Sequence, residues 1–322
     1  MTQLDQTIIL HSTLQSESRG KRLDQAVAEI FSDYSRTRLQ EWIKNGQLTV
    51  NGVVQKTKYI VQGGEEIAVK AQALAQENWT AQPIPLTVVY EDEAILVINK
   101  PAGLVVHPGA GNFDHTLVNA LLHYSAGLAH LPRAGIVHRL DKDTTGLLVI
   151  AKTLAAHTHL VNALQAREIT REYECLVNGI MISGGTVDAP IGRNPHDRLK
   201  QAVTPNGRHA VTHYRVLGRF DRHTHLQVQL ETGRTHQIRV HMAHLHHPIV
   251  GDTNYGYRLF LPPQAPPELE QQLRGFKRPA LHARRLILAH PVSKIAMTFE
   301  APLPDDMQQL IDTFYTQDTS KC

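Results

Sequence analysis

The sequence predicts an α+β protein: a mixed, mainly antiparallel sheet with packed helices and a central cleft, preceded by a small α/β unit. Three features carry this expectation. From Leu86 onward, strand-like alternation outnumbers helical periodicity. Upstream, two helical stripes run into an Asn-Gly turn. Between these regions, residues 71–85 are Ala/Gln-rich, end in Gln82-Pro83-Ile84-Pro85 and hold no sustained period, which is the pattern of a linker. The expected organisation is a flexible tail over 1–18, a small unit over 19–70, the linker over 71–85, a large domain over 86–316 and a tail over 317–322. A chain of 322 residues that is 42% hydrophobic can build one large core plus a small appended domain.

The elements follow in order. Leu23, Ala26, Val27 and Ile30 recur at helical spacing, and a second helix is expected from Ser35, a suitable N-cap, with the stripe Leu39, Trp42 and Ile43. Gly46 can stop it in a left-handed conformation. Two strands, Leu48–Val50 and Val53 onward, are joined by Asn51-Gly52, a strong hairpin signal. In the larger part, Val88–Tyr90, Ala94–Ile98 and Leu147–Ala151 read as strands and Leu154–Arg167 as an amphipathic helix. Tyr173, Cys175 and Val177 alternate along another strand, as do Leu226, Val228 and Leu230.

Composition narrows the function classes. No run of about 18 or more apolar residues occurs, and the N-terminus lacks a basic region followed by an apolar one, so a cytoplasmic protein with no membrane partner is expected. Two cysteines, Cys175 and Cys322, offer neither a disulfide framework nor a cysteine-based zinc site. The net charge of +3 is modest, but nine Arg/Lys stand against three acids between Ile191 and His241, a balance suited to a phosphate backbone or to a solvated basic face. There is no Walker loop and no Gly-x-Gly-x-x-Gly fingerprint, so no nucleotide cofactor is expected.

Two segments concentrate chemistry. Gly135-Ile136-Val137-His138-Arg139-Leu140-Asp141-Lys142-Asp143-Thr144-Thr145-Gly146 is a polar loop between apolar runs, able to present one acidic side chain at a sheet edge. On physics alone Asp141 is a loop cap, a metal ligand or a catalytic group. In the second segment, Leu230 to His241, a strand ends, Gly233 turns and Arg234 leads into a helix. Were Arg234 to approach Asp141, its planar fork would supply the countercharge a covered carboxylate needs. The run His241-Met242-Ala243-His244-Leu245-His246-His247 places three histidines on one helical face, an arrangement that invites a metal. No nearby cysteine or His-Glu-x-x-His pattern completes a site.

Taken together, His138-Arg139-Leu140-Asp141 with its extension to Gly146, and Gly233-Arg234-Thr235-His236-Gln237-Ile238-Arg239 downstream, resemble the motifs of the RluA family of pseudouridine synthases. Asn99-Lys100-Pro101-Ala102-Gly103 resembles the family's first motif, and Leu281-His282-Ala283 with His290-Pro291 its last. Residues 20–70, with Arg22-Leu23-Asp24, Ser35-Arg36-Thr37-Arg38 and Val50-Asn51-Gly52, resemble the S4 RNA-binding domain. The resemblance implies isomerisation of uridine to pseudouridine with no cofactor and no metal. It implies Asp141 as the catalytic carboxylate, acting as nucleophile or base, and Arg234 as its partner. Tyr173 would stack on the base, and Arg139 would fill the gap left by a flipped nucleotide or contact a phosphate. Arg22, Arg36, Arg38 and Lys44 would meet RNA. Within the family, the fused S4 domain with Pro132-Arg133-Ala134-Gly135 and Val240-His241-Met242-Ala243-His244 points to large-subunit (23S) ribosomal RNA or a pre-50S particle, at the stem-loop called helix 69. A non-catalytic ribosome-assembly factor, a synthase for another ribosomal or transfer RNA uridine, and a histidine-liganded metallohydrolase are the alternatives.

Overall fold

The computed structural model describes residues 7–31, 34, 36–72, 79–109, 112–197, 200–256 and 259–319. The chain divides into two compact units, Met1–Asn78 and Trp79–Cys322.

The first unit comprises β1 (Thr7–Thr13), α1 (Leu23–Ile30), α2 (Arg36–Lys44), β2 (Leu48–Val50) and β3 (Glu66–Gln72). Residues three and four apart share a helix face, so α1 buries Leu23, Ala26 and Val27 while α2 buries Leu39, Trp42 and Ile43. Both stripes pack with Leu48, Val50, Ile67 and Val69 of the sheet. Beyond α2, Gly46 takes φ +72°, and the amides of Gly46 and Gln47 bond to the carbonyls of Ile43 and Trp42. This satisfies the last helical acceptors in a Schellman arrangement. The proposed N-cap Ser35 lies outside the described residues.

Two expectations change here. Residues 7–13 are not tail: β1 pairs antiparallel along all of β3, from Thr7 opposite Gln72 to Thr13 opposite Glu66, and Leu14 is buried. Only a partner more than 50 residues away in the chain reveals this strand. The Asn51-Gly52 turn forms, with φ +49° and +77°, but a single bridge from Val50 to Val53 is all that continues it. Val53 and Val54 are exposed, and β2 takes its ladder from β3 instead.

The second unit comprises β4 (Thr87–Glu91), β5 (Ile95–Lys100), α3 (Leu117–Tyr124), β6 (Thr145–Ala151), α4 (Leu154–Gln165), β7 (Thr170–Asn178) and β8 (Gly185–Asp188). It continues with β9 (Ile191–Arg193), β10 (Gln201–Val203), β11 (Val211–Arg219), β12 (His223–Leu230) and α5 (Gln237–His244). Last come α6 (Pro267–Gly275), β13 (Leu281–Ala289), β14 (Ala296–Glu300) and α7 (Asp305–Thr319). One nine-stranded sheet runs β4-β5-β6-β13-β7-β12-β11-β8, with β14 also on β13. Its described pairings are antiparallel except β6 with β13, and β9 and β10 form a separate hairpin.

Every residue of β6 is buried, because the sheet is covered on both faces at this strand. Leu148 and Ile150 face the core shared with α3, α6 and α7, whereas Leu147, Val149 and Ala151 face the core that α4 covers with Ala156, Leu160 and Ala163. The expected linker is shorter than 71–85. Residues 71 and 72 finish β3, and 73–78 lie outside the described residues. Residues 79–85 are fastened to the second unit: Trp79 and Ile84 pack on its core, and Asn119 Nδ2 donates to the Thr80 carbonyl at 2.8 Å. At the other end, residues 317–319 extend α7 rather than forming a tail.

Candidate active site

Asp141 lies on the loop that leads into β6, and buried polar contacts hold that loop from below. Lys100, the last residue of β5, is fully buried and donates its Nζ hydrogens to the carbonyls of Pro101, Leu104 and Lys142, at 2.8, 2.9 and 2.9 Å. Burial pulls this ammonium down to about 8, opposed by the carboxylates of Asp143 and Asp141. His138 Nε2 accepts the Val149 amide at 3.2 Å. Burial, with Arg171 adding to it, drives that imidazole down to about 3, so it remains a neutral acceptor. Gly146 then enters β6 at φ +114°, and a Cβ there would stand 2.3 Å from the Ala283 carbonyl. Only glycine lets the parallel β6–β13 contact close beneath the loop.

The countercharge comes from α5. Arg239 Nη1 donates to Asp141 Oδ2 at 3.2 Å. On its other edge, Nε and Nη2 form a fork on Asp252, at 2.7 and 2.9 Å. Asp252 is buried, and its Oδ1 also accepts the amides of Asn254 and Tyr255. Although burial disfavours the guanidinium charge, Asp252 and Asp141 outweigh it and hold Arg239 above the ordinary arginine value. Its plane lies 5.0 Å from the Tyr255 ring centroid. His236, held at φ +57° where α5 begins, places Nε2 3.9 Å from Asp141 Oδ1 and Nδ1 2.8 Å from the Tyr255 hydroxyl. Burial pushes His236 down, while Asp141 pulls it back up.

Helix α5 is itself pinned to the sheet. Gln237 donates to the Val211 carbonyl and to Thr212 Oγ1, and its Oε1 accepts from the Thr232 hydroxyl and the Arg234 amide. One turn on, buried His241 lies between Thr212 Oγ1 and the Ala189 carbonyl. This accounts for the first histidine of the run, and His247 Nδ1 meets the Asn178 carbonyl. Among the described residues, no group of three or more His, Cys, Asp or Glu is arranged to hold a metal ion.

The expected residues fall as follows. Tyr173 is buried on β7 between Val228 and Ala283; burial raises its phenol, and the Asp141 charge raises it further. Arg139 is exposed two residues before Asp141, and its charge bears on both His107 and His236. Arg234 is not the partner of Asp141. Its Nε donates to the His209 carbonyl at 2.9 Å, because it precedes α5, whereas Arg239 sits on the helix face turned towards the loop. Sequence reasoning therefore missed Arg239, Asp252 and His236, and gave Lys100 no role. Two arginines five apart in one motif were the available signal, and only the rotation of α5 separates them.

In the first unit, Arg22 and Arg36 do not simply extend towards solvent. Both pair with the fully buried Asp24, at 3.0 and 2.7 Å, with Gln40 as a third donor at 2.6 Å. Burial opposes the Asp24 charge, but these donors prevail and hold it at about 2. Lys44 is exposed, and the Arg38 side chain lies outside the described residues. No described helix is long and apolar enough to cross a membrane.

Residues 94–244 match the family described as RNA pseudouridylate synthase, and residues 21–67 match the S4 domain. The chain is 56% identical over 303 residues to the ribosomal large subunit pseudouridine synthase D of Vibrio parahaemolyticus, covering 94% of this chain and 93% of that protein. It is 57% identical over 295 residues to the protein of that name from Pseudomonas aeruginosa, covering 92% of each. Among solved structures, human RNA pseudouridylate synthase domain containing 4 superposes with a TM-score of 0.55 at 27% identity, over 71% of this chain and 93% of that one. A polar loop whose Asp141 is clamped by arginine, at the end of an interior strand of a mostly antiparallel sheet, therefore occurs in a chain more than half identical to these enzymes along nearly its whole length: the chain belongs to the RNA pseudouridylate synthase family.

Proposed function

We propose that this protein isomerises uridine to pseudouridine in large-subunit ribosomal RNA, at the helix 69 stem-loop, with Asp141 as its catalytic carboxylate. The observation that carries the reading is the half-buried Asp141 paired with Arg239, whose opposite edge is locked on Asp252. The reaction breaks the bond from C1′ to N1 and forms one from C1′ to C5. C5 loses a proton and N1 gains one, so no oxidant, reductant or water is consumed. Asp141 acts at the sugar as nucleophile or base. Arg239 balances the carboxylate charge once the base excludes water from it. Tyr173 stacks beneath the uracil, and Arg139, exposed at the rim, occupies the gap left by the flipped nucleotide.

The names of the relatives, ribosomal large subunit pseudouridine synthase D, support the large-subunit RNA as partner; we extend this to free RNA or a pre-50S particle met in the cytoplasm. The S4 match supports a first unit that adds RNA affinity. The test is carbodiimide and primer-extension mapping of large-subunit RNA from cells lacking the protein, rescued with the wild type or Asp141→Asn. Marks in the helix 69 loop should return with wild type alone. Equal rescue by Asp141→Asn would remove Asp141 as catalyst, and marks elsewhere would reassign the substrate.

A further inference from the structure

Arg234 and Arg208 form a cationic surface beside the site that the chemistry above leaves unused. The Arg234 side chain lies along the backbone at residue 209, so the two arginines are neighbours. Arg208 is exposed on the strand partner of Ile191, at the root of the β9–β10 hairpin. The loop end of the same hairpin is tied to the site: the Gln201 amide, opposite Arg193, donates to the Tyr255 hydroxyl, which meets His236. Arg167 completes the group from the end of α4.

The nearby carboxylates are already engaged. Glu231 contacts Arg167 and His213, each at 2.7 Å, and Asp188 contacts His209 at 3.3 Å. Among the described residues, neither Arg208 nor Arg234 has a carboxylate within ion-pairing distance. Among the described residues, Arg234 spends only Nε on a carbonyl, which leaves both Nη groups as a fork without a described partner. Burial and the charges of Arg208 and Arg167 all push the Arg234 guanidinium down, an arrangement that an anion would relieve. Glutamate or aspartate at either position would have relieved it within the fold; the chain keeps the positive charge at the surface instead.

We propose that Arg208 and Arg234 clamp a backbone phosphate of the RNA beside the target nucleotide, fixing how the strand crosses the site. The proposal rests on the reading of the substrate as RNA. Neutralising a phosphate releases counterions, so each phosphate neutralised contributes about 0.7–0.9 to the slope of log affinity against log salt.

The experiment measures that slope for the full chain on a large-subunit RNA fragment containing helix 69. Arg208→Gln and Arg234→Gln should each flatten it in part, and the double variant by about 0.7–0.9. Arg208→Lys and Arg234→Lys, which keep the charge, should retain it. Arg274→Gln, whose arginine pairs with Glu270 on α6, serves as the control and should leave it unchanged. An unchanged slope in both Gln variants, or equal flattening by Arg274→Gln, would overturn the clamp. Because the slope is read without turnover, a wild-type chain that binds this RNA but forms no pseudouridine would defeat the functional reading, and the slope would still decide the clamp.

Discussion

Arg239 holds Asp141 with one nitrogen, 3.2 Å from Oδ2, while Asp252 holds Arg239 with a two-bond fork on the opposite edge. The position of the candidate catalytic carboxylate thus depends on a residue 111 positions further along the chain, which never touches it directly.

Lysine cannot make that fork, so Arg239→Lys should lower the single-turnover rate by about 100-fold, roughly 2.7 kcal/mol, with RNA affinity little changed. Asp252→Ala should lower stability in urea unfolding, by less than the about 3–5 kcal/mol of a fully uncompensated buried charge, because Asp141 remains as a partner of the Arg239 guanidinium. Arg234→Lys should keep the wild-type rate at saturating RNA within a few fold. A rate loss there as large as that of Arg239→Lys would restore Arg234 as the partner of Asp141.

Lys100 is the post on which the Asp141 loop rests. Lys100→Met leaves three carbonyls without their donor, each worth about 1–3 kcal/mol when buried and unpaired. Lower stability together with lost activity is expected, read by urea denaturation and pseudouridine yield on the same preparation. Full activity in this variant would show that the loop does not need the ammonium.

Acid should destabilise the second unit earlier than carboxylate titration alone requires. Burial holds His138 at about 3 and His223 and His282 at about 4, against about 6.5 for an exposed imidazole. The unfolded chain therefore takes up protons first: stability is full above about pH 6.5 and declines as pH falls towards 4. His223 is fully buried against Phe314, and among the described residues neither ring nitrogen has a hydrogen-bond partner. His223→Leu should narrow the gap between urea midpoints at about pH 7.5 and pH 5, with no loss at the higher pH. An unchanged gap would mean that this imidazole does not titrate on unfolding.

Asp24 should act as the hub of the first unit. Asp24→Ala removes the acceptor of Arg22, Arg36 and Gln40 and should cost about 1.5–3 kcal/mol. In wild type, this contribution is present above about pH 3.8 and is lost as pH falls through about 2. Limited proteolysis within residues 7–72 reports the loss. Equal resistance in variant and wild type would show that the two arginines are held by other means.

Much of this architecture can be read locally. The stripes of α1 and α2 and the strands from β4 to β7 appear where spacing and turn residues place them, because each is written in consecutive side chains. The Asp141 loop was legible for the same reason, as a dense polar run between two apolar ones. β1 was not legible: its ladder partner, β3, is closed only by folding. The second hairpin strand failed for the converse reason, since β3 supplies β2 with a longer ladder than Val53 onward can.

What the sequence determined by itself is the family, most of the local elements and the polar loop that carries the candidate carboxylate, since motifs and periodicities are short-range properties of the chain. What only the tertiary structure decided is which groups meet that carboxylate. Arg234 and Arg239 are the same residue type within one motif, yet pinning Gln237 to β11 sets the rotation of α5, and that rotation turns Arg239 towards Asp141. The choice of partner depends on helix orientation against a sheet, a relationship that the order of residues does not contain.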